Sequence, residues 1–282
     1  MAERIITLIA GSSGSGKSFF VANLKRALIY DTDIGGGLSY ADARIKRNGS
    51  ERIEVSSYPE ILNDLKAKQR SGALKDRLFV VIDHLSTLQQ EGVNRHNPNM
   101  ERDFGMAGDK AAREWRRIRE FCRAYDFNLV CTAHLKAKWE AEKVVGQTAE
   151  ASKNVEGDFQ QFLHVTRAST YPSVAWVQKW RRDPEDPRGL IPNTFPFTVE
   201  AFEKLAGSEA MAPREPIKLA SEEQIKTLNG LLEIARLPEG TVEKWLKKAG
   251  AEAFSEMGAA DIQKCIDYIN GLISGTKPKN GK

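Results

Sequence analysis

The sequence predicts an α/β protein, with a mostly parallel sheet in the first 205 residues and a small helical module after it. Two observations carry this prediction. Short β-branched runs alternate with helix-like stretches up to residue 205, which is the order that builds a parallel sheet covered by helices. Beyond residue 220 the apolar residues recur at helical spacing. The length of 282 residues suits about two domains.

The expected sheet has eight strands. Five of them alternate with helices and are expected to run parallel. Three later strands, separated by Asp-Pro turns, are expected as antiparallel additions at one edge. The candidate strands are residues 5–10, 27–30, 53–57, 78–82, 128–132, 164–168, 173–179 and 196–199, and the clearest candidate helices are 19–28 and 110–125.

The chain is expected to divide at a segment rich in small residues and proline. We predict a core over residues 1–205, a linker over 206–220, a three-helix module over 221–275 and a disordered tail over 276–282. Ser221 and Gln224 have the spacing of a capping box, which marks the start of the first helix of the module.

Composition excludes several protein classes. Hydrophobic residues make up 41% of the chain and charged residues 28%, a globular balance rather than a disordered one. The apolar runs are too short to cross a bilayer, the N-terminus lacks a signal-peptide pattern, and the three cysteines are odd in number. We therefore expect a cytoplasmic protein without a membrane partner. The net charge of +4, equal to the basic excess within residues 110–125, is too small to indicate nucleic acid by itself.

A motif at residues 11–18 predicts a phosphate-binding loop. It matches the pattern G-x-x-x-x-G-K-[ST] and lies between an apolar strand and a helix. Glycines let consecutive N–H groups point at phosphate oxygens, and the helix N-terminus adds its positive dipole end. Lys17 is expected between the β- and γ-phosphates, and the Ser18 hydroxyl on Mg²⁺. The predicted nucleotide-binding residues are Gly11, Ser12, Ser13, Gly14, Ser15, Gly16, Lys17, Ser18 and Phe19.

Asp83 is the second predicted ligand of Mg²⁺. It ends the apolar run 78–82, and a buried strand that ends in a carboxylate beside a phosphate loop is the usual magnesium-binding partner in P-loop enzymes. The sequence contains neither the N-K-x-D motif with which GTPases read guanine nor a transporter signature. A P-loop kinase acting on a small molecule stays open, with residues 136–157 as its lid.

The order of these motifs resembles the RecA-type recombinase ATPases. The turn at residues 31–33 stands where that family places the carboxylate that polarises the attacking water, and His134 stands where a strand ends in a polar γ-phosphate sensor. Asp33 replaces the glutamate that is usual in the family and is one methylene shorter. The resemblance implies catalytic roles for Lys17, Asp33, Asp83 and His134.

The same resemblance implies where DNA and a neighbouring subunit bind. Residues 89–108 and 135–157 stand where the family carries its two DNA-binding loops. A late strand is similar to the basic pair that reaches the ATP of the neighbouring subunit. The implied DNA-binding residues are Arg95, Arg102, Lys136, Lys138, Trp139 and Lys143, and the implied trans-interface residues are Lys179 and Arg181.

Within that family, the chain is similar to short phage-encoded members associated with single-strand annealing and recombination. The similarity lies in the Thr-Ala-His-x-Lys segment at 132–136 and in the Ser-Glu-x-Gln start of the terminal helices. It implies an ATP- and Mg²⁺-dependent ATPase that binds single-stranded DNA and forms a homo-oligomer, a ring or a filament, in the cytoplasm of a bacterial host. The further implied partner is a single-strand DNA-binding protein or another replication or recombination protein.

Plainer interpretations stay open for several of these residues. Asp33 can cap the turn before the following glycines, and His134 can be an ordinary loop histidine. The two candidate DNA loops carry nearly balanced charge, so their sequence does not establish strong phosphate neutralisation. The basic helix 110–125 suits a solvated amphipathic helix as well as one that tracks DNA. A nucleotide-gated adaptor, such as a helicase loader, is the remaining alternative.

Overall fold

The computed structural model describes residues 4–33, 37–98, 104–140, 143–151, 155–181, 190–214, 218–235, 237–249, 251 and 253–274. Its internal contacts divide the chain into two units. The first unit contains Met1–Leu65 and Asp76–Arg214, and the second contains Lys66–Lys75 and Glu215–Lys282. Within the described ranges, every helix is too short or too polar to span a bilayer.

Ten strands are present in the described part of the chain. They are β1 (Ile6–Gly11), β2 (Ala27–Asp31), β3 (Glu51–Glu54), β4 (Phe79–Asp83), β5 (Asn128–Ala133), β6 (Leu135–Glu140), β7 (Lys143–Ala149), β8 (Gln161–Thr166), β9 (Val174–Trp180) and β10 (Thr194–Pro196). Eight of them form one sheet in the order β10-β9-β8-β1-β5-β4-β2-β3, and β6 pairs with β7 in a separate ribbon.

The large sheet is mostly parallel, which confirms the predicted fold class. The six strands from β8 to β3 run parallel to one another, β9 is antiparallel to β8, and β10 is antiparallel to β9. The prediction was wrong for β8, which we expected among the antiparallel additions. It pairs in parallel with β1 and thereby flanks the strand that carries the phosphate loop.

The helices of the first unit lie between these strands and after the last of them. They are α1 (Lys17–Asn23), α2 (Asp42–Arg47), α3 (Tyr58–Ser71, which continues into the second unit), α4 (Leu85–His96), α5 (Phe104–Ala124), α6 (Val199–Ala206) and α7 (Ser208–Met211). Helix α1 ends at Asn23, five residues before the predicted end, because the chain enters β2 at Ala27.

The core follows from the predicted pattern. Strands β1, β4 and β5 are buried along their whole length, as expected for near-continuous apolar strands that have helices on both faces. The apolar stripe predicted on α5 is also confirmed, because Trp115, Ile118 and Phe121 are each at most 1% exposed.

Both predicted DNA loops contain regular structure instead. Within 89–108, α4 continues to His96 and α5 begins at Phe104. A Cβ atom at Gly92 would lie 2.8 Å from the Cβ of Ala111, so this glycine lets the two helices pack closely. Within 135–157, the chain forms the β6–β7 ribbon and a 3₁₀ turn at Val155–Asp158. Among the candidate residues that the structure describes, Arg95 lies on α4, Lys136 and Lys138 lie on β6, and Lys143 lies on β7.

The segment predicted as a linker is partly ordered on the first unit. Residues Ser208–Met211 are helical, and Ala210 is 1% exposed. The buried Arg214 guanidinium donates to the carbonyl oxygens of Arg77 and Tyr125. The first unit therefore extends beyond the predicted end of the core at residue 205.

The second unit has its own small core. Its helices α8 (Glu222–Ile234), α9 (Thr241–Ala249) and α10 (Ala259–Ile273) surround Leu228, Ile262 and Ile269, each fully buried. The capping box predicted at Ser221 and Gln224 is confirmed, with both of its hydrogen bonds present. The predicted tail at 276–282 lies outside the described residues.

Candidate nucleotide-binding site

The phosphate loop connects β1 to α1 at the carboxyl edge of the parallel strands. Gly16 has a φ of 95°, in the left-handed region that suits glycine, and the N–H of Phe20 donates to its carbonyl oxygen at 2.9 Å. A Cβ atom at Gly11 would lie 2.6 Å from the carbonyl oxygen of Val165 in β8. Glycine is therefore required at position 11 by the close approach of Val165 and is favoured at position 16 by the positive φ.

Lys17 is the first residue of α1 and is 4% exposed. Its ammonium group donates to the carbonyl oxygens of Gly11 (2.7 Å) and Ser12 (3.0 Å), so it lies within the loop. Burial lowers the pKa of Lys17, and the nearby Asp83 carboxylate partly offsets that shift. A cation and a carboxylate thus lie within electrostatic reach of each other beside the loop.

Asp83 ends β4 and is almost fully buried. The Thr132 hydroxyl, near the end of the neighbouring strand β5, donates to its carboxylate. Hydroxyl and carboxylate oxygens suit Mg²⁺, which also keeps water ligands, so Ser18 and Asp83 form a fitting donor set. Among the described residues, no cluster of three or more His, Cys, Asp or Glu side chains could hold a metal ion by itself. Phosphate and water oxygens would have to complete the coordination.

The turn after β2 gives its two aspartates different environments. Asp31 is fully buried, and its carboxylate accepts hydrogen bonds from the N–H of Leu38 (2.8 Å), the N–H of Asp33 (3.1 Å) and the guanidinium of Arg52 (3.0 Å). Asp33 is exposed. Asp31 thus holds the turn together, and Asp33 carries the carboxylate that is free to meet a ligand.

Two histidines stack beside the phosphate loop. The rings of His84 and His134 have centroids 4.6 Å apart and an interplanar angle of 11°. The N–H of His134 donates to the Ser86 hydroxyl at 2.9 Å, which fixes the backbone where β5 ends. Burial lowers the pKa of His134, the neighbouring His84 and Lys17 lower it further, and the carboxylates of Glu150 and Asp83 offset part of this shift. The His134 imidazole is therefore neutral near pH 7.

A cavity of about 530 Å³ brings most of these residues together, and it has the volume of a small-molecule site. Gly11 and Ser12 contribute through the carbonyl oxygens that hold Lys17, and Asp83 is buried beneath the surface. The cavity is lined by Ser13, Gly14, Ser15, Gly16, Lys17, Ser18, Phe19, Asp33, Gly37, Tyr40, His84, Thr87 and His134.

A second, larger groove of about 1100 Å³ adjoins this cavity. Helices α4 and α5 and the start of the β6–β7 ribbon form its walls. Thr87 and His134 line both spaces, so the groove and the cavity share one wall. The groove is polar, and its lining carries three cationic side chains (Arg95, Arg116 and Lys136) and three carboxylates (Glu91, Asp109 and Glu150).

The β6–β7 ribbon is anchored at its base. The N–H of Glu150 donates to the His134 carbonyl oxygen at 2.7 Å. The Glu156 carboxylate accepts hydrogen bonds from the Thr148 hydroxyl and the Ala149 N–H. The position of the ribbon is thereby tied to the strand end that carries His134.

The candidate DNA-binding residues do not all lie in one environment. Lys136 and Lys138 are exposed and two residues apart on β6, so they lie on the same face of the strand. Lys143 is exposed at the start of β7. Arg95 lines the groove, but its charge is already paired with Glu91 and Glu114. Arg102 and the side chain of Trp139 lie outside the described residues.

The candidate trans-interface residues lie far from the phosphate loop of their own chain. The Lys179 ammonium, near the end of β9, donates to the Glu156 carbonyl oxygen at 2.9 Å. Arg181 follows the same strand and is exposed. Because β9 is antiparallel to β8, its end lies at the sheet edge opposite the loop. Any contact of theirs with a nucleotide requires a second subunit.

Sequence reasoning missed several residues of the site. Thr132 contacts Asp83, and His84 stacks on His134, because β5 lies next to β4 in the sheet. A linear pattern does not show that these two strands are neighbours. Thr87, at the junction of cavity and groove, was inside no motif. The ribbon had an available signal, because apolar residues at 135 and 137 alternate with lysines at 136 and 138, the period of a strand.

The family model AAA_24, described as an AAA domain, matches residues 3–179. This range is more than half of the chain and contains the phosphate loop, the turn after β2, the end of β4 and the ribbon. A comparison with curated proteins found no match.

Proposed function

Since the chain belongs to the AAA domain family of P-loop nucleotide-binding proteins, we propose that it is an ATP- and Mg²⁺-dependent ATPase that binds single-stranded DNA. Its task would be single-strand annealing or homologous strand pairing. One observation carries the DNA part of this proposal: the polar groove shares Thr87 and His134 with the nucleotide cavity, so an occupant of one site adjoins an occupant of the other.

Each residue of the nucleotide site has a chemical role in this proposal. The loop N–H groups and Lys17 bind the phosphates. Ser18 and Asp83 would hold Mg²⁺, which when bound neutralises charge that develops on the phosphates. Asp33 accepts a hydrogen bond from the attacking water and orients it, because its carboxylate is exposed in the cavity whereas Asp31 is committed to the turn.

His134 couples the two sites. Its neutral imidazole can hydrogen-bond a γ-phosphate oxygen on the cavity side, and its carbonyl oxygen holds the base of the ribbon through the Glu150 N–H. A change at the phosphate can therefore move the ribbon and alter the groove. By linkage, DNA binding changes nucleotide affinity by the same factor as the nucleotide changes DNA affinity.

The first test measures binding of a single-stranded oligonucleotide at low salt, with and without ATP, together with the ATPase rate with and without the oligonucleotide. We expect binding that depends on nucleotide state and a rate that rises with DNA. Lys17→Ala should abolish ATP binding and keep the fold, since its ammonium group serves the phosphates. Absence of oligonucleotide binding in every nucleotide state would refute the DNA assignment. Phosphate transfer to a metabolite would favour the kinase alternative.

A second test addresses the ribbon. The double variant Lys136→Ala, Lys138→Ala should lower the slope of log affinity against log salt by about 1.4, because each contact with a single strand contributes about 0.7. The variant Lys25→Ala, Lys204→Ala removes the same charge from exposed positions outside the groove and ribbon and should leave the slope unchanged. Equal slopes for the two double variants would place the DNA elsewhere.

We also propose a homo-oligomer in which Arg181 reaches the nucleotide of the neighbouring subunit. Mixing Lys17→Ala chains with Arg181→Ala chains tests this. Each variant alone should be inactive, whereas the mixture contains interfaces that combine an intact phosphate loop with an intact Arg181. Recovery of ATPase activity supports action in trans, and a mixture as inactive as its components contradicts it.

A further inference from the structure

The connection between β8 and β9, residues 167–173, lies against the phosphate loop. A Cβ atom at Gly14 would lie 3.7 Å from Nη1 of Arg167, and one at Gly16 would lie 3.5 Å from Oγ of Ser173. Residues at both ends of the connection therefore contact the loop. This proximity follows from the parallel pairing of β8 with β1, which brings the two strand ends side by side.

Arg167 is a cation without a carboxylate partner among the residues that the structure describes. It is exposed, and its guanidinium lies next to Gly14 of the loop, whose motif is the one that binds phosphate through backbone N–H groups. Guanidinium groups match phosphate oxygens through paired N–H donors. The geometry thus provides a further positive charge beside the loop, in addition to Lys17 and to Arg44, whose guanidinium lies 4.6 Å from the centroid of the Phe19 ring.

The same connection also carries an aromatic side chain. Tyr171 is 70% exposed, and its ring packs edge-on against Phe19, with centroids 5.6 Å apart. Phe19 lines the nucleotide cavity at the end of the motif that enters the helix. The aromatic pair suits the base of a nucleotide. Arg167 lies beside Gly14 within the loop, which suits the phosphates.

We propose that Arg167 binds the terminal phosphates of the nucleotide held by its own chain, with the 167–173 connection as a second wall of the site. This inference rests on the nucleotide binding described under the proposed function. It adds a phosphate-recognising residue that lies outside the G-x-x-x-x-G-K-[ST] motif and some 150 residues from it in the chain. Tyr171 closes the opposite end of the same wall.

The experiment is calorimetric titration of the full chain with MgATP, and competition by inorganic tripolyphosphate, which has the phosphates without the base. Arg167→Ala should weaken the binding of both ligands about tenfold, the effect of one charge-assisted contact. Arg167→Lys should recover part of that loss, because it keeps the charge without the paired donors. Tyr171→Ala should weaken MgATP binding and leave competition by tripolyphosphate unchanged.

Arg47→Ala is the matched control, since Arg47 is an exposed arginine at the end of α2, next to the N-terminal edge of β2 and away from the loop. It should bind MgATP as the unmodified chain does. If the unmodified chain binds MgATP and the affinity of Arg167→Ala is within twofold of it, the inference about Arg167 is overturned and the proposed function still stands. If the unmodified chain binds no MgATP and behaves as Lys17→Ala does, the proposed function fails as well.

Discussion

Replacing Asp31 by asparagine tests whether the buried carboxylate organises the turn that carries Asp33. The carboxylate accepts three hydrogen bonds in a site without solvent exposure, from two backbone N–H groups and from Arg52. Asparagine has the same shape but only one accepting oxygen, so its NH₂ group must face at least one of these donors.

The expected loss of unfolding free energy follows from the hydrogen-bond donors that Asp31→Asn would leave unpaired. Leaving one buried N–H unpaired costs about 1–3 kcal/mol, and a lost hydrogen bond to a charged group costs about 1.5–3 kcal/mol. Arg52 keeps its contacts with Asp42 and Glu54, so its charge is not left unpaired. We therefore expect Asp31→Asn to lower the free energy of unfolding by about 3 kcal/mol, at the lower end of the cost of breaking a buried ion pair.

Asp42→Asn is the matched control, because Asp42 pairs with the same Arg52 but its side chain is 54% exposed. An exposed pair contributes at most about 1 kcal/mol. Urea unfolding followed by circular dichroism separates the two expectations. With a slope of about 3 kcal/mol per molar urea, Asp31→Asn should shift the midpoint by about 1 M and Asp42→Asn by about 0.3 M or less.

The same variant has a functional consequence. Asp31 holds Asp33 and Leu38, whereas the hydrogen bonds of Lys17 go to the phosphate loop. Asp31→Asn should therefore reduce the ATPase rate and leave MgATP affinity nearly unchanged. Equal loss of stability in the Asp31 and Asp42 variants, or an ATPase rate untouched by Asp31→Asn, would refute the role given to this carboxylate.

Three further predictions concern the loop, the histidine and the ribbon. Gly11→Ala should lower the free energy of unfolding by about 1–3 kcal/mol, because its Cβ would lie 2.6 Å from the Val165 carbonyl oxygen. Gly157→Ala is the control and should be neutral, because a Cβ there meets nothing within 4 Å. Similar urea midpoints for the two variants would contradict this prediction. The folded chain holds the pKa of His134 below 6.5, so the unfolded chain takes up this proton first and stability falls as the pH drops from 7 to 5. His134→Gln should lessen that fall, measured as urea midpoints at several pH values, and an unchanged pH dependence would speak against it. Glu156→Ala removes the hydrogen-bond acceptor at the base of the ribbon. It should weaken oligonucleotide binding several-fold and leave MgATP affinity intact. Glu156→Gln keeps an acceptor oxygen and should bind the oligonucleotide nearly as the unmodified chain does.

Much of the nucleotide site could be predicted because its information is local. The spacing from Gly11 to Ser18 and the carboxylate after an apolar run need only a strand, a turn and a helix in sequence. The segment 89–108 shows where such reasoning stops. Its polar residues and glycines indicate a loop, yet Gly92 is a point of close contact between α4 and α5. A glycine that allows a tight turn and one that allows close packing look the same in a sequence.

The aspartates after β2 give a second example. Both have the composition of a turn, and the resemblance assigns the catalytic role to Asp33, although the sequence also allows Asp33 to be a turn cap. Burial decides it, because Asp31 meets Arg52 only when β3 pairs with β2. Arg95 is a third case. It was implied as a DNA-binding residue, but the packing of α4 on α5 places Glu114 beside it and neutralises its charge.

The sequence by itself determined the class of the fold, the phosphate loop and the aspartate that ends β4, since each follows from residues adjacent in the chain or from one strand's period. Only the tertiary structure decided how the histidines stack, that groove and cavity share Thr87 and His134, and that Arg167 lies beside Gly14. The physical reason is that these contacts join the carboxyl ends of strands that are far apart in the chain. Their meeting depends on strand order and register, which are set by the packing of apolar side chains along whole strands and not by a short motif.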